Sequence, residues 1–101
     1  MSYQEEAMVV LPTINGTKAF GFAESAPAGA AERVHGVLQL TPADALRVQS
    51  SVERGEPLSY CGPVWTDGTW RTEVFPILLS DMKITPGALV MVRFSEAAGQ
   101  S

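Results

Sequence analysis

Apolar and polar positions alternate with a period of two along most of this chain, and the alternation is interrupted by dipeptides that turn a strand back on itself. The pattern is clearest in Val64-Trp65-Thr66-Asp67-Gly68-Thr69-Trp70-Arg71. Asp-Gly supplies the positive-φ pair that a two-residue type I′ turn requires, because aspartate tolerates the left-handed region and glycine has no Cβ to clash. Thr66 is therefore expected opposite Thr69, and Trp65 opposite Trp70. Extending this register pairs Val64 with Arg71, Cys61 with Val74 and Tyr60 with Phe75, so the tryptophans share one face while Tyr60 and Phe75 take the other. Bulky groups then occupy both faces of the 57–77 hairpin, which predicts that something covers the second one.

Asn15-Gly16 repeats the device between Met8–Ile14 and Thr17–Ala23. With a two-residue loop, Leu11 faces Phe20 and Val9 faces Phe22, and that side is expected to be core while Pro12 and Ala19 face away. Pro12 cannot donate to a ladder, which places its strand at an edge or a bulge. Residues 24–32, with Pro27, Gly29 and four alanines, have no strand period and read as a mobile connector. Val34–Leu40 is a third strand unit. Thr41-Pro42-Ala43-Asp44 then starts a helix: a threonine N-cap, a proline where its missing N–H costs nothing, and an acid in the first turn. The helix is expected over Pro42–Arg54, with Gly55 as its stop and Ala45, Val48 and Val52 on an apolar stripe beside Leu46. Ile77–Met82 is expected to turn briefly. Pro86-Gly87 makes a turn into Ala88–Phe94, an almost unbroken apolar strand suited to a sheet interior. Residues 1–6 and 95–101 are expected to fray.

These elements assemble into one α+β domain over residues 1–101. Two hairpins and two further strands form a small, mostly antiparallel sheet, with the amphipathic helix packed on one face. A partly closed small β-barrel is the alternative.

Composition narrows the function classes. The chain has 101 residues, 46% hydrophobic and 18% charged, enough for one packed core. A net charge of −4 without any run of Lys or Arg argues against direct nucleic-acid binding or an anionic membrane, and leaves a basic protein or a small neutral ligand as partner. Cys61 is the single cysteine, so no intrachain disulfide forms and a cytoplasmic location is expected. Residues 1–25 show no basic stretch followed by an apolar core, and no apolar run approaches the ~18 residues of a membrane span.

Candidate chemistry is sparse. His35 is the single histidine, which with the single Cys61 excludes a Cys/His zinc site, and the carboxylates are not clustered; no metal, cofactor or catalytic residue is expected. A Cys61/His35 nucleophile pair has no surrounding signature, and a lone cysteine is more often a small buried hydrophobe. Gly16 and Gly21 are spaced as in a phosphate loop but lack the Lys-Ser/Thr that follows one. Asp67, Glu73 and Asp81 are scattered. Trp65 and Trp70 are either a core lid or the anchor of a contact surface, since tryptophan is enriched in both settings. Arg71 and Glu73 point to the opposite hairpin face, and Arg33, Arg47, Arg54 and Arg93 are isolated cations suited to solvent or local salt bridges. The binding candidates are therefore Trp65, Trp70, Tyr60, Arg71, His35 and Arg33. The expected function is a non-enzymatic interaction protein, self-associating, that acts through a protein surface or as an assembly subunit, of bacterial or phage accessory type. The competing reading is a small-ligand pocket, sequestering or enzymatic, at the sheet–helix or subunit boundary and lined by Tyr60, Trp65 or Trp70.

Overall fold

Two tight turns set the register of the fold. Asn15 (φ 50°) with Gly16 (φ 85°) and Asp67 (φ 50°) with Gly68 (φ 82°) are the positive-φ pairs expected of type I′ hairpins. The structure, a computed structural model, describes residues 11–97. The expectations for residues 1–10, including Val9 opposite Phe22, and for residues 98–101 lie outside them.

Around the first turn, β1 (Thr13–Ile14) pairs with β2 (Thr17–Lys18). Asn15 also fastens this hairpin to the rest of the chain. Its backbone N–H donates to the Ser59 carbonyl at 3.0 Å, its Oδ1 accepts from the Ser59 N–H at 2.8 Å, and its Nδ2 donates to the Pro57 carbonyl at 3.1 Å. The chain continues as β3 (Phe20–Ser25), β4 (Val34–Leu40), α1 (Pro42–Glu53), β5 (Leu58–Thr66), β6 (Thr69–Met82) and β7 (Val90–Glu96). Around the second turn, β5 and β6 pair in the expected register, from Leu58 opposite Ile77 through Tyr60 opposite Phe75 to Trp65 opposite Trp70.

The strands run β5-β3-β4-β7-β6, and β6 returns to β5, so five of them close into a barrel. This corrects the open, mostly antiparallel sheet with a helix on one face and realises the barrel alternative. The sheet is mixed because of the Asn15-Gly16 turn. Strand β1 lies antiparallel to β5 over Tyr60 and Cys61; the turn reverses the chain, and β3 therefore reaches the remainder of the same edge running parallel to β5. Ala23 pairs there with Val64 and Glu24 with Trp65. Closure satisfies ladder groups that an open sheet leaves at its edges.

The barrel interior explains a second correction. Phe75, Tyr60 and Phe94 stack through it, with Tyr60 5.1 Å from each neighbouring ring centroid and tilted 31° and 20° to them. A small barrel filled by three rings needs small residues on the facing strands. Ala23 and Gly36 supply them, and Phe20 and Phe22 take exposed positions on β3. Leu11, Phe20 and Phe22 are accordingly exposed, while Pro12, Ile14 and Ala19, on the side expected to face away, are buried. Pro12 seats on Gly62, where a Cβ would stand 2.7 Å from the Pro12 Cα.

Helix α1 has the expected start: Thr41 Oγ1 accepts from the Asp44 N–H at 3.2 Å, and Pro42 occupies the first position. It ends at Arg54 and Gly55 (φ 75°). Ala45 and Val48 enter the core, but Leu46, on a different face of the same turns, and Val52, in the last turn beyond the docked part, are exposed. Thr41→Ala removes a cap and is expected to lower stability by about 1 kcal/mol in urea titration.

Three boundaries differ from the sequence reading. Glu24 and Ser25 belong to β3, and the connector to β4 begins at Ala26, whose N–H donates to the Arg33 carbonyl. Ile77–Met82 does not turn; β6 continues through it, bends at a bulge between Leu79 and Asp81 and pairs with β7. Ser95 and Glu96, expected to fray, are laddered in β7 against His35, Leu78 and Ile77.

Candidate functional site

Outward positions of β3 and of the β5–β6 tip converge on three aromatic rings. Trp65 and Trp70, opposed across the ladder, meet with centroids 5.0 Å apart and planes at 61°. Phe22 adds its ring to Trp70 at 5.1 Å and 81°. Both contacts are edge-to-face, the arrangement that brings the positive rim of one ring to the negative face of another. The exposures are 44% for Phe22, 38% for Trp65 and 45% for Trp70, too open for core and too closely packed for independent surface groups. Phe20 and Val37 extend the apolar area along β3 and β4. The backbone beneath is fixed by the parallel pairing of Trp65 with Glu24, by Ser25 Oγ donating to the Trp65 carbonyl at 3.3 Å, and by Thr69 Oγ1 donating to the Thr66 carbonyl at 2.9 Å.

Phe22 is the member that the sequence pattern places in the core. The signal for its outward position is Ala23, the small buried residue next to it on β3, which is informative once the barrel is known to be closed.

Tyr60 lies between Phe75 and Phe94 and presents no surface. Its hydroxyl donates to the Pro63 carbonyl at 2.6 Å. Burial pushes its pKa well above the ordinary tyrosine range, partly offset by hydrogen bonding from the Ala23 backbone, so the phenol stays neutral.

Arg33 closes one mouth of the barrel. Nε donates to Glu96 Oε1 at 2.9 Å, Nη2 donates to Glu96 Oε2 at 3.0 Å and to Glu73 Oε1 at 3.1 Å, and the guanidinium lies 5.8 Å from the Phe75 ring centroid. The hydrogen bonds to Glu96 and then Glu73 raise its pKa further. Glu73 shares the inward parity of Phe75, and Glu96 that of Phe94, so the Arg33 guanidinium caps the aromatic stack while tied to both carboxylates. This is the locally salt-bridged setting anticipated for an isolated arginine.

His35 stands on the outer side of β4 between two carboxylates. Nδ1 is 3.3 Å from Glu32 Oε2, and Nε2 is 3.9 Å from Glu24 Oε2. It lines an open groove of about 510 Å³ together with Phe22, Glu24, Val37 and Arg93. Arg71 is exposed on the hairpin face opposite the tryptophans and joins neither group. Cys61 is exposed, in contrast to the buried hydrophobe expected. It pairs with Thr13 and Val74, while His35 pairs with Glu24 and Ser95, so the ladders do not bring the two together.

Among the described residues there is no group of three or more His, Cys, Asp and Glu side chains able to hold a metal ion, and no helix long and apolar enough to cross a membrane. No known family model, curated protein or solved structure matches the chain. The reading of function therefore rests on its own residues.

Proposed function

We propose that this protein is a non-enzymatic interaction module that acts through the Phe22–Trp65–Trp70 surface, docking a protein partner or a further copy of itself within an assembly. The observation that carries this reading is that three contiguous large aromatic side chains are left about two-fifths exposed on a rigid barrel wall, in a chain that buries Tyr60, Phe75 and Phe94 nearly completely. Rigid aromatic anchors are what interface hot spots are made of, because they contribute large contact area at small entropic cost. Self-association has separate support in the exposed Val74, Leu78 and Met91. A cytoplasmic accessory role of bacterial or phage type fits the single thiol and the acidic balance. The small-ligand reading has less to stand on, since Tyr60 is sealed in the core and the groove beside His35 is open.

The test pairs folding with association. Trp65→Ala and Trp70→Ala are each expected to cost about 1–2 kcal/mol, roughly half the loss for a fully buried aromatic, and to leave the barrel folded. Sedimentation equilibrium and pull-down from the native host should then show loss of the assembly or of a specific partner. Variants that unfold would return the tryptophans to the core; variants that fold and associate as the parent does would remove this surface from function.

A further inference from the structure

Building on the contact-surface reading above, we infer that the segment seated on Phe22, Trp65 and Trp70 is basic, and that it lays an arginine side chain against the indole faces with its guanidinium at Glu24. Aromatic faces carry the negative part of the ring quadrupole and attract cations, most strongly from tryptophan. Here two half-exposed indoles stand next to a carboxylate. Glu24 shares the outward face of β3 with Phe22 and is paired directly with Trp65, one strand spacing of about 4.8 Å away. Glu32 lies beyond it across the His35 imidazole.

Among the described residues, no arginine or lysine is paired with Glu24. Arg33 is held by Glu73 and Glu96 over Phe75, at the mouth of the barrel. Arg71 is on the other face of its hairpin, and Arg93, on the outward face of β7, lines the groove with Glu24 and His35 but starts two ladder spacings, about 10 Å, from β3 and from β5 around the closed barrel. His35 is already flanked by both carboxylates. The charged side chain directly beside Trp65 is thus a carboxylate, and the chain as a whole carries −4, so this end of the surface favours a basic segment and disfavours an acidic peptide or a phosphate backbone. Arginine suits it better than lysine, because a planar guanidinium can stack on an indole while its edge donates two parallel hydrogen bonds to one carboxylate.

The test uses the intact protein, tryptophan fluorescence as readout, and three short glycine-spaced peptide amides carrying arginine, lysine or uncharged citrulline, each titrated to millimolar concentration. The arginine peptide should shift the emission and bind more tightly than the lysine peptide. It should bind about three- to fivefold more tightly than the citrulline peptide, the scale of an exposed cation–π contact. Glu24→Gln, an isosteric change at an exposed position, should lower that preference about twofold, the share of an exposed ion pair, while leaving the circular dichroism spectrum unchanged. Equal binding of arginine and citrulline peptides, or an arginine preference undiminished by Glu24→Gln, overturns the inference. So does the absence of binding by any peptide: if Trp65→Ala and Trp70→Ala still abolish association, the contact surface stands and only its basic partner is lost, whereas if association survives in those variants, both fall together.

Discussion

Tyr60→Ala is expected to destabilise the domain by about 3–5 kcal/mol, a large share of the ~5–15 kcal/mol that holds a small domain together. Tyr60 is the middle ring of the Phe75–Tyr60–Phe94 stack and is fully buried. Truncation removes both ring contacts and opens a cavity that the neighbouring strands cannot close, because they are fixed to one another around the barrel. It also leaves the Pro63 carbonyl without its donor. Tyr60→Phe isolates that last contribution and should cost about 1 kcal/mol. The same variant tests the ionisation. Since the folded-state pKa is raised by burial, this group's stabilisation is complete below the unfolded value of about 10 and declines as pH rises above it. Tyr60→Phe should therefore lose less stability than the parent between neutral and strongly alkaline pH. Urea titrations across that range decide it, and a Tyr60→Ala midpoint no lower than that of Trp65→Ala would contradict the core assignment.

The difference between Tyr60 and the tryptophans was only half legible in the sequence. Turn chemistry is local, so Asp67-Gly68 determined the whole β5–β6 register and placed Tyr60 and Trp65 on opposite faces. The Thr41-Pro42 cap and the β4 bounds were legible for the same reason. Which face is inside is a non-local property. Both faces of β3 and of the β5–β6 hairpin carry apolar groups, and the choice between them depends on the parallel β3–β5 pairing that closes the barrel. That pairing joins residues some forty positions apart and leaves no periodicity of its own. Periodicity alone therefore puts Phe22 inward and leaves Tyr60 among the surface candidates. Arg33 was singled out, but its partners Glu73 and Glu96 lie 40 and 63 residues away and meet it only at the closed mouth.

Gly36→Ala is expected to lower stability by about 1–3 kcal/mol, and Gly36→Val by more, although replacing a strand glycine ordinarily stabilises by reducing the freedom of the unfolded chain. Gly36 is not at a positive φ, so backbone strain is not the cause; space is. It lies in register with Ala23 and Phe94, and a Cβ there would stand 2.8 Å from two carbons of the Phe94 ring and 2.7 Å from the Phe22 carbonyl oxygen. The ring can move only by disturbing its stack with Tyr60, and the carbonyl only by shifting β3. Phe94→Leu in the Gly36→Ala background should therefore recover part of the loss, a non-additive result expected of residues in contact, while the clash with β3 persists. The shift of β3 also carries to the surface, because the Phe22 ring on that residue packs against Trp70. Gly36→Ala should thus change tryptophan emission under conditions where the protein remains folded, and should weaken association without altering any residue of the aromatic surface. A variant as stable as the parent, with unchanged emission, would mean that Phe94 does not fill the space over β4 and that the core and the contact surface are not mechanically joined through β3.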